Sequence, residues 1–510
     1  MMPAIKLSES WMLSELLVDI AKIARGVDRE IGGLSVDAAR LRPGELFLAC
    51  AGVKRHGRDF IDQAIANGAA AVLCEVEDPE KHGIMRLEGT VPVMLVHDLK
   101  RRIGHIADRF YGQPSKYMTV IGVTGTNGKT STSQFIAQAL NQDTPCGVIG
   151  TLGYGLYGKL DQGEHTTPNA IRMHELLAAM RVKGARSVVM EVSSHGLDQG
   201  RVNGVNFNTA VFTNLSRDHL DYHGDMGRYG AAKRRLFDMP GLRHAVINAD
   251  DAFGRALIHS YRGHLDLTAY SLQLKTGAHG VPMLACEDLV LSDAGLSMTV
   301  VTNAERAVLR SPLLGRFNAS NLLAALGVLL KLGMPLAEAV ERIAACKPVD
   351  GRMQCYGGGE LPLVVVDYAH TPDALEQVLL ALQEHCAGQL WCVFGCGGDR
   401  DKGKRPLMGR VAQACADRII VTDDNPRSED GDAIINDILA EAEFDENIDV
   451  IRDRGQAIAH AVAQAQPGDI VLVAGKGHED YQVIGELRLP FSDSAAVEMN
   501  LALRQEGAQQ

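Results

Sequence analysis

No apolar run in the 510-residue chain approaches the roughly 18 residues that a membrane-crossing helix requires, so no membrane span is expected. The N-terminus, MMPAIKLSESWMLSELLVDI, has neither a basic n-region nor an apolar core ending in a small-residue cleavage site, and three acids interrupt it. Positive charge is not in excess either. The 51 Lys and Arg against 63 Asp and Glu leave a net charge of −12, which argues against broad binding to nucleic acid or an anionic membrane surface while leaving local basic pockets open. The ten cysteines are scattered; the closest pair is Cys392 and Cys396 in LWCVFGCGG, and no CxxC pair or second Cys/His cluster completes a zinc site. They are expected as buried free thiols in a reducing compartment. Internal repeats and low-complexity tracts are missing, apart from a polar tail after residue 503. What these absences leave is a cytoplasmic enzyme or binding protein.

What is present is enough apolar material, 46% of the residues, to give each of about three domains a core. Residues 1–115 mix short apolar runs (GELFLAC, AAAVLCEV, PVMLVHDL) with Gly- and Pro-marked turns and read as a small α/β unit. From 116 to 345, strand-like runs (YMTVIGV, CGVIGT, SVVMEV, TAVFTNL, HAVINAD) alternate with helix-like stretches such as SQFIAQAL and NLLAALGVLLKL. That alternation predicts a mostly parallel sheet. The stretch 266–312 shows alternating runs and no clear helix, so an antiparallel insertion is expected there. After ACKPVDGR the theme restarts over 346–510 with LPLVVVD, QLWCVFG, RIIVTD and DIVLVAG, apolar on both faces as buried parallel strands are. The fold class expected is α/β in three domains, with a central phosphate-loop sheet and a C-terminal Rossmann-like sheet.

Ligands of open α/β sheets sit outside the carboxyl ends of the strands, and here each strand ends in chemistry. YMTVIGVTGTNGKTSTSQFIAQAL leads a strand into a Gly-rich loop, then Lys129, Thr130 and a helix. Backbone N–H groups of such a loop face phosphate, the lysine reaches the β/γ-phosphates and the hydroxyl binds Mg²⁺. Val123 stands where the full pattern has its first glycine. A tight turn capped by a lysine is the bland alternative. Glu191 in VVMEVSSHGLDQGR and His219 in FTNLSRDHLDYHG follow two further strands; three metal-competent groups after three strands of one sheet point to a Mg²⁺ site. A second set lies in the C-terminal unit: Asp367 in VVVDYAHTPDAL, Arg400 in FGCGGDRDKGKRP, then VTDDNPR and VAGKGHEDYQ. Facing nucleotide and charged-molecule sites suggest ATP-driven joining through an acyl phosphate, although a kinase also fits.

TGTNGKTS, MEVSSHGL, FTNLSRDHLDYHG, GRFNASN, DYAHTPDAL, FGCGGDRDKGKRP, TDDNPR and GKGHEDYQ together resemble the Mur ligase family, in the same order and over essentially the whole chain. The resemblance implies a UDP-precursor-binding domain (1–115), an ATPase domain (116–345) and an amino-acid-binding domain (346–510). It implies ATP-dependent addition of meso-diaminopimelate to the D-Glu of UDP-MurNAc-L-Ala-D-Glu by a cytoplasmic monomer with ATP and Mg²⁺, without nucleic-acid or membrane partners. It assigns Gly125, Thr126, Asn127, Gly128, Lys129, Thr130 and Ser131, with Asn318, Arg352 and Asp367, to the nucleotide. Thr130, Glu191, His219 and a carbamylated Lys233 are assigned to Mg²⁺, and Lys129, His219 and Lys233 to catalysis. His165, Thr166, Thr167, Ser193, Gln199 and Arg201 fall to the muramoyl peptide. The uridine segment usually reads L-D-S-R; here it is Val36-Asp37-Ala38-Ala39, so the UDP contacts assigned to Val36 and Ala38 lack the serine hydroxyl, and Lys54 and Arg55 are candidate substitutes. Arg400, Asp424, Asn425, Pro426, Arg427, Gly475 and Glu479 fall to the incoming amino acid. In that turn Arg427 is expected to clamp the far carboxylate, Asp424 and Asn425 to accept from an ammonium, and Pro426 to stiffen the turn. The two sites lie on separate domains, so closure is expected.

Overall fold

A computed structural model describes residues 10–52, 55–274, 280–292, 295–441 and 447–507. The first nine residues, Lys54 and the end of the polar tail lie outside them.

Three sheets organise the chain. The first is five-stranded, in the spatial order Gly33–Ser35, Glu45–Ala49, Ala71–Val76, Val91–His97 and Met85–Glu88, with the last strand antiparallel. The second is eleven-stranded. Its parallel run is Cys146–Gly150, Ser187–Glu191, Thr119–Thr124, Thr209–Phe212, His244–Asn248, Asp266–Ser271 and Met283–Ser292. The third is six-stranded, in the order Gln354–Gly357, Leu363–Asp367, Ile470–Ala474, Leu390–Phe394, Arg418–Val421 and Ile448–Val450, parallel but for its first pair. The α/β class with a mostly parallel central sheet is as the sequence reading expected.

The stretch 266–312 differs from that reading. Its antiparallel ladders, Met283–Ser292 with Gly295–Val301 and the latter with Arg306–Ser311, are there. They are no separate insertion, because Asp266–Ser271 and Met283–Ser292 pair in parallel with the main run and the hairpin extends the same sheet.

Helices cover both faces of the central and C-terminal sheets. Val123, Val148, Val189 and Val211 pack on one side of the central sheet with Leu322, Leu326 and Leu329 of Arg316–Lys331. Val120, Val188, Met190 and Phe212 face Leu177 of Ala170–Val182 on the other. Strands apolar on both faces demand such sandwiching, each buried Val or Leu contributing about 1.5–3 kcal/mol. Register then sets the functional edge: Glu191 lies opposite Val123, Phe212 opposite Thr124, and Asp367 opposite Ala474. All ten cysteines are free and most are buried, as expected of thiols that serve packing.

Candidate active site

The phosphate loop leaves Thr119–Thr124 and enters the helix Lys129–Leu140 through Gly128, whose φ of +81° suits glycine. Gly125 is required by space: a Cβ there would lie 1.9 Å from Thr213 Oγ1. Lys129 folds back over the loop, its Nζ donating to the carbonyls of Gly125 (3.0 Å) and Thr126 (2.8 Å). Burial lowers its pKa against the pull of Glu191. The Thr130 hydroxyl donates to Glu191 Oε2 at 2.9 Å. Thr151, which follows the neighbouring strand Cys146–Gly150, adds its N–H at 2.8 Å and its hydroxyl at 3.1 Å to the same carboxylate. Thr151 went unremarked in the sequence, although it obeys the strand-end rule that singled out Glu191.

A cleft of about 270 Å³ opens beside this loop, lined by Asn127, Gly128, Ser131, Asn318, Arg352 and Asp367 together with Asn321 and Asp373. It therefore joins residues from the central sheet, the helix Arg316–Lys331 and the C-terminal sheet. Asn318 and Asn321 stand one turn apart on that helix; Asn321 accepts from Thr132 Oγ1 at 3.3 Å. Arg352 lies over the Tyr368 ring at 4.7 Å and reaches Thr130 Oγ1 at 3.4 Å. Burial raises the Asp367 pKa against Arg352 and the N–H of Met353, which donates to it at 2.8 Å.

Lys233 is 1% exposed; its Nζ donates to the Gly125 carbonyl at 2.7 Å and sits over the Tyr229 ring at 4.2 Å. Burial, with Lys129 close by, holds it well below the ordinary lysine range. His219, which the resemblance assigns to Mg²⁺, is oriented by its own neighbours. It adopts φ +54°, pairs with Asp218 at 3.4 Å and packs edge-on against the rings of His195 and Tyr229; no hydrogen bond links it to Thr130 or Glu191. Its strand-end position was legible, whereas the ring stack that orients it was not.

The residues assigned to the muramoyl peptide form one network. Thr167 Oγ1 donates to the Glu191 carbonyl (2.8 Å) and accepts from the Ser193 N–H (3.1 Å). Arg201 donates to the Thr167 carbonyl (2.7 Å) and to Gln199 Oε1 (2.9 Å), Thr166 meets Thr151 at 3.1 Å, and the His165 carbonyl accepts from Tyr154 Oη. The N-terminal assignments fare otherwise. Ala38 is 4% exposed, packs with Leu41 and Phe47, and has its carbonyl taken by Asn67 Nδ2 at 2.8 Å, so its methyl is core and not a ligand contact. Val36 and Arg55 are exposed; Lys54 lies outside the described residues.

In the C-terminal sheet, the turn Asp424–Arg427 is laced to the loop 397–400. Gly398 N–H donates to the Asn425 carbonyl (2.9 Å), Arg427 Nη1 donates to the Gly398 carbonyl (2.7 Å), and Ser428 Oγ donates to Asp399 (2.7 Å). Beneath it, buried Arg405 holds Glu429 at 2.9 Å. Arg427 itself has φ +53° and is half-buried, and Arg400 stays exposed beside it. Gly475 approaches Asp424 so closely that a Cβ would lie 2.6 Å from Oδ2. The segment before it is anchored by Arg454, which donates to the Ala474 carbonyl (2.9 Å) and pairs with Asp493 at 2.7 Å in full burial. Asn425 departs from the role expected of it. Its Oδ1 already accepts from Lys476 Nζ (3.1 Å) and the Val483 N–H (2.9 Å), and its Nδ2 donates to Glu479 (2.9 Å). Its amide is thus spent on the framework of the turn. Lys476, 0% exposed and bound also to Glu479 at 3.1 Å, is the residue that imposes this; it stands inside GKGHEDYQ but received no role from the sequence.

Mg²⁺, which the sequence led one to expect, is tested by the donor set. Among the described residues no group of three or more His, Cys, Asp or Glu is arranged to hold a metal. The Thr130 hydroxyl and the Glu191 carboxylate nonetheless offer the hard oxygens Mg²⁺ prefers when phosphate and water supply the rest.

A phosphate loop on a parallel sheet, facing a Rossmann-like sheet with its own charged pocket, defines a nucleotide-dependent protein that acts on a second, charged ligand. The chain belongs to the Mur ligase family: profiles for the Mur ligase family, catalytic domain (residues 30–111), the Mur ligase middle domain (123–329) and the Mur ligase, glutamate ligase domain (351–477) match it. It is 52% identical over 477 residues, 93% of this chain and 96% of the relative, to the UDP-N-acetylmuramoyl-L-alanyl-D-glutamate--2,6-diaminopimelate ligase of Pseudomonas aeruginosa. It is 49% identical over 500 residues, 98% of this chain and 99% of the relative, to the protein of that name in Xanthomonas campestris pv. campestris. A solved structure of the same name aligns with a TM-score of 0.71 at 38% identity, covering 98% of this chain and 100% of the other. A structure of MurF from Acinetobacter baumannii shares the fold at a TM-score of 0.63 and 18% identity.

Proposed function

We propose that the chain is an ATP-dependent amide ligase that joins meso-diaminopimelate to the D-Glu of UDP-MurNAc-L-Ala-D-Glu in peptidoglycan precursor synthesis. The observation that carries this reading is the Asp424–Arg427 turn held against Gly398 on the sheet edge that also presents Asp367 to the nucleotide cleft. A diamino diacid carries an ammonium and a carboxylate at its far end. Arg427 clamps that carboxylate, while Asp424 and Glu479 receive the ammonium. Domains 1–115, 116–345 and 346–510 are assigned the precursor, the nucleotide and the amino acid in turn.

ATP supplies the phosphoryl group that turns the D-Glu γ-carboxylate into an acyl phosphate, from which the amine of diaminopimelate displaces phosphate. The phosphate-loop N–H groups and Lys129 hold the transferring phosphates, and Thr167, Ser193 and Arg201 hold the muramoyl peptide next to Glu191. Thr130 and Glu191 are the residues that would hold Mg²⁺, which supplies charge neutralisation at the phosphates. Burial and the nearby Lys129 lower the pKa of Lys233 well below the ordinary lysine range, a shift towards the neutral amine that carbamylation by CO₂ needs. Among the described residues no helix is long and apolar enough to cross a membrane; a cytoplasmic monomer is proposed because both half-sites come from one chain and ATP is a cytoplasmic reactant. The test is incubation with ATP, Mg²⁺, UDP-MurNAc-L-Ala-D-Glu and meso-diaminopimelate. One phosphate released per amide formed is expected. A stable phosphorylated product without amide would mean a kinase instead.

A further inference from the structure

One carboxylate bridges the two sheets that must cooperate. Asp373 lies in the first turn of Pro372–Gln383, a helix of the C-terminal sheet. Its Oδ2 accepts from Asn127 Nδ2 at 2.8 Å and from Ser216 Oγ at 2.9 Å, both in the central domain. These donors belong to a single rigid unit. The Asn127 N–H donates to Asn214 Oδ1 (2.9 Å), Thr213 Oγ1 donates to the Asn127 carbonyl (2.6 Å), and the Ser216 N–H donates to Thr126 Oγ1 (3.0 Å). The helix has no need of Asp373 as its cap, because Thr371 already accepts from the Ala374 N–H at 3.3 Å. Asp373 also lines the nucleotide cleft, yet its negative charge makes it an unfit ligand for a triphosphate. Its two bonds instead tie the phosphate loop to the domain that carries Asp367 and the amino-acid pocket.

We propose that Asp373 is a positioning residue that locks the phosphate loop to the C-terminal domain and so sets the register in which the acyl carboxylate, the phosphoryl group and the incoming amine meet. The inference rests on the two-substrate ligase reading above. Misplacing reacting groups by about an ångström lowers rate far more than affinity. Loss of the lock is therefore expected in kcat and not in KM.

The experiment uses the full chain with Asp373→Ala, Asp373→Asn, Ser216→Ala and the Asp373→Ala/Ser216→Ala double variant, all checked for unaltered thermal unfolding. Steady-state kinetics are combined with energy transfer between dyes on the central and C-terminal domains, read with a non-hydrolysable ATP analogue bound. The second readout does not require turnover, so it decides the proposal even if the ligase reading fails. Asp373→Ala is expected to lower kcat roughly 10- to 100-fold with little change in KM for ATP, and to broaden the distance distribution. Asp373→Asn, which keeps one acceptor oxygen, and Ser216→Ala are expected to fall between, and the double variant to match Asp373→Ala. Should Asp373→Ala fail to fold, Ser216→Ala carries both readouts. A raised KM for ATP at unchanged kcat would make Asp373 a nucleotide contact and overturn the proposal. Unchanged energy transfer, or additive effects in the double variant, would do the same.

Discussion

Arg427 is held half-buried at a positive φ, with one guanidinium nitrogen committed to the Gly398 carbonyl and the loop 397–400 pressed against it. Such a side chain is preorganised, so a carboxylate that reaches it loses little further entropy. Hydrogen bonds to charged groups contribute about 1.5–3 kcal/mol. Arg427→Ala is therefore expected to raise KM for meso-diaminopimelate tenfold or more while KM for ATP stays put, as initial-rate kinetics will read. An unchanged selectivity over lysine would remove Arg427 from the account. Individual roles were only partly legible at this scale. Lys129 and Glu191 stand at the carboxyl ends of neighbouring strands of the central sheet, and Arg427 follows a strand of the C-terminal sheet. Asn425 was misread because its amide is consumed by Lys476, Val483 and Glu479, partners dozens of positions away that no local pattern reveals. The missing serine hydroxyl at Ala38 was legible in the sequence, whereas the packing of its methyl into the core was not.

The elements themselves were the most legible, because a doubly buried strand leaves no choice of pattern. SVVME and TAVF are strands of the central sheet, and LVVVD and IVLVA are strands of the C-terminal one. The hairpin of Gly295–Val301 and Arg306–Ser311 was seen as antiparallel but misplaced, since whether it joins the main sheet depends on pairing between distant segments. The strand-to-helix turn at the phosphate loop has the tightest tolerance. Gly125→Ala puts a Cβ 1.9 Å from Thr213 Oγ1 and so strikes the same strand end that fixes Asn127. It is expected to abolish nucleotide binding by calorimetry while leaving circular dichroism native. Retained nanomolar-to-micromolar ATP binding would show that the loop relaxes freely.

For the whole molecule, half-buried imidazoles shape the response to acid. His195 is lowered to about 4 by burial, with His219 and His223 adding repulsion, and His478 to about 4 by burial and Arg352. A histidine whose folded pKa lies below its ordinary 6.5 takes up its proton more readily when unfolded. Stability therefore falls as pH drops through 6.5 and goes on falling towards 4, after which these groups contribute no further loss. Glu429, held at about 2 by Arg405 and Lys402, keeps its clamp down to about pH 4.5, below which its own contribution fades as well. Urea midpoints measured from pH 7 to pH 4 are expected to decline steadily; a flat profile would contradict the lowered pKa of His195 and His478.

The central claim is that the Asp424–Arg427 turn selects a diamino acid with a second carboxylate for an ATP-driven ligation. It is tested most directly by competition: purified protein, ATP, Mg²⁺ and UDP-MurNAc-L-Ala-D-Glu with equal meso-diaminopimelate and L-lysine, product mass and released phosphate being read together. The account predicts the diaminopimelate adduct alone, with one phosphate per adduct. A lysine adduct, or bound ATP with no adduct of either, would contradict it.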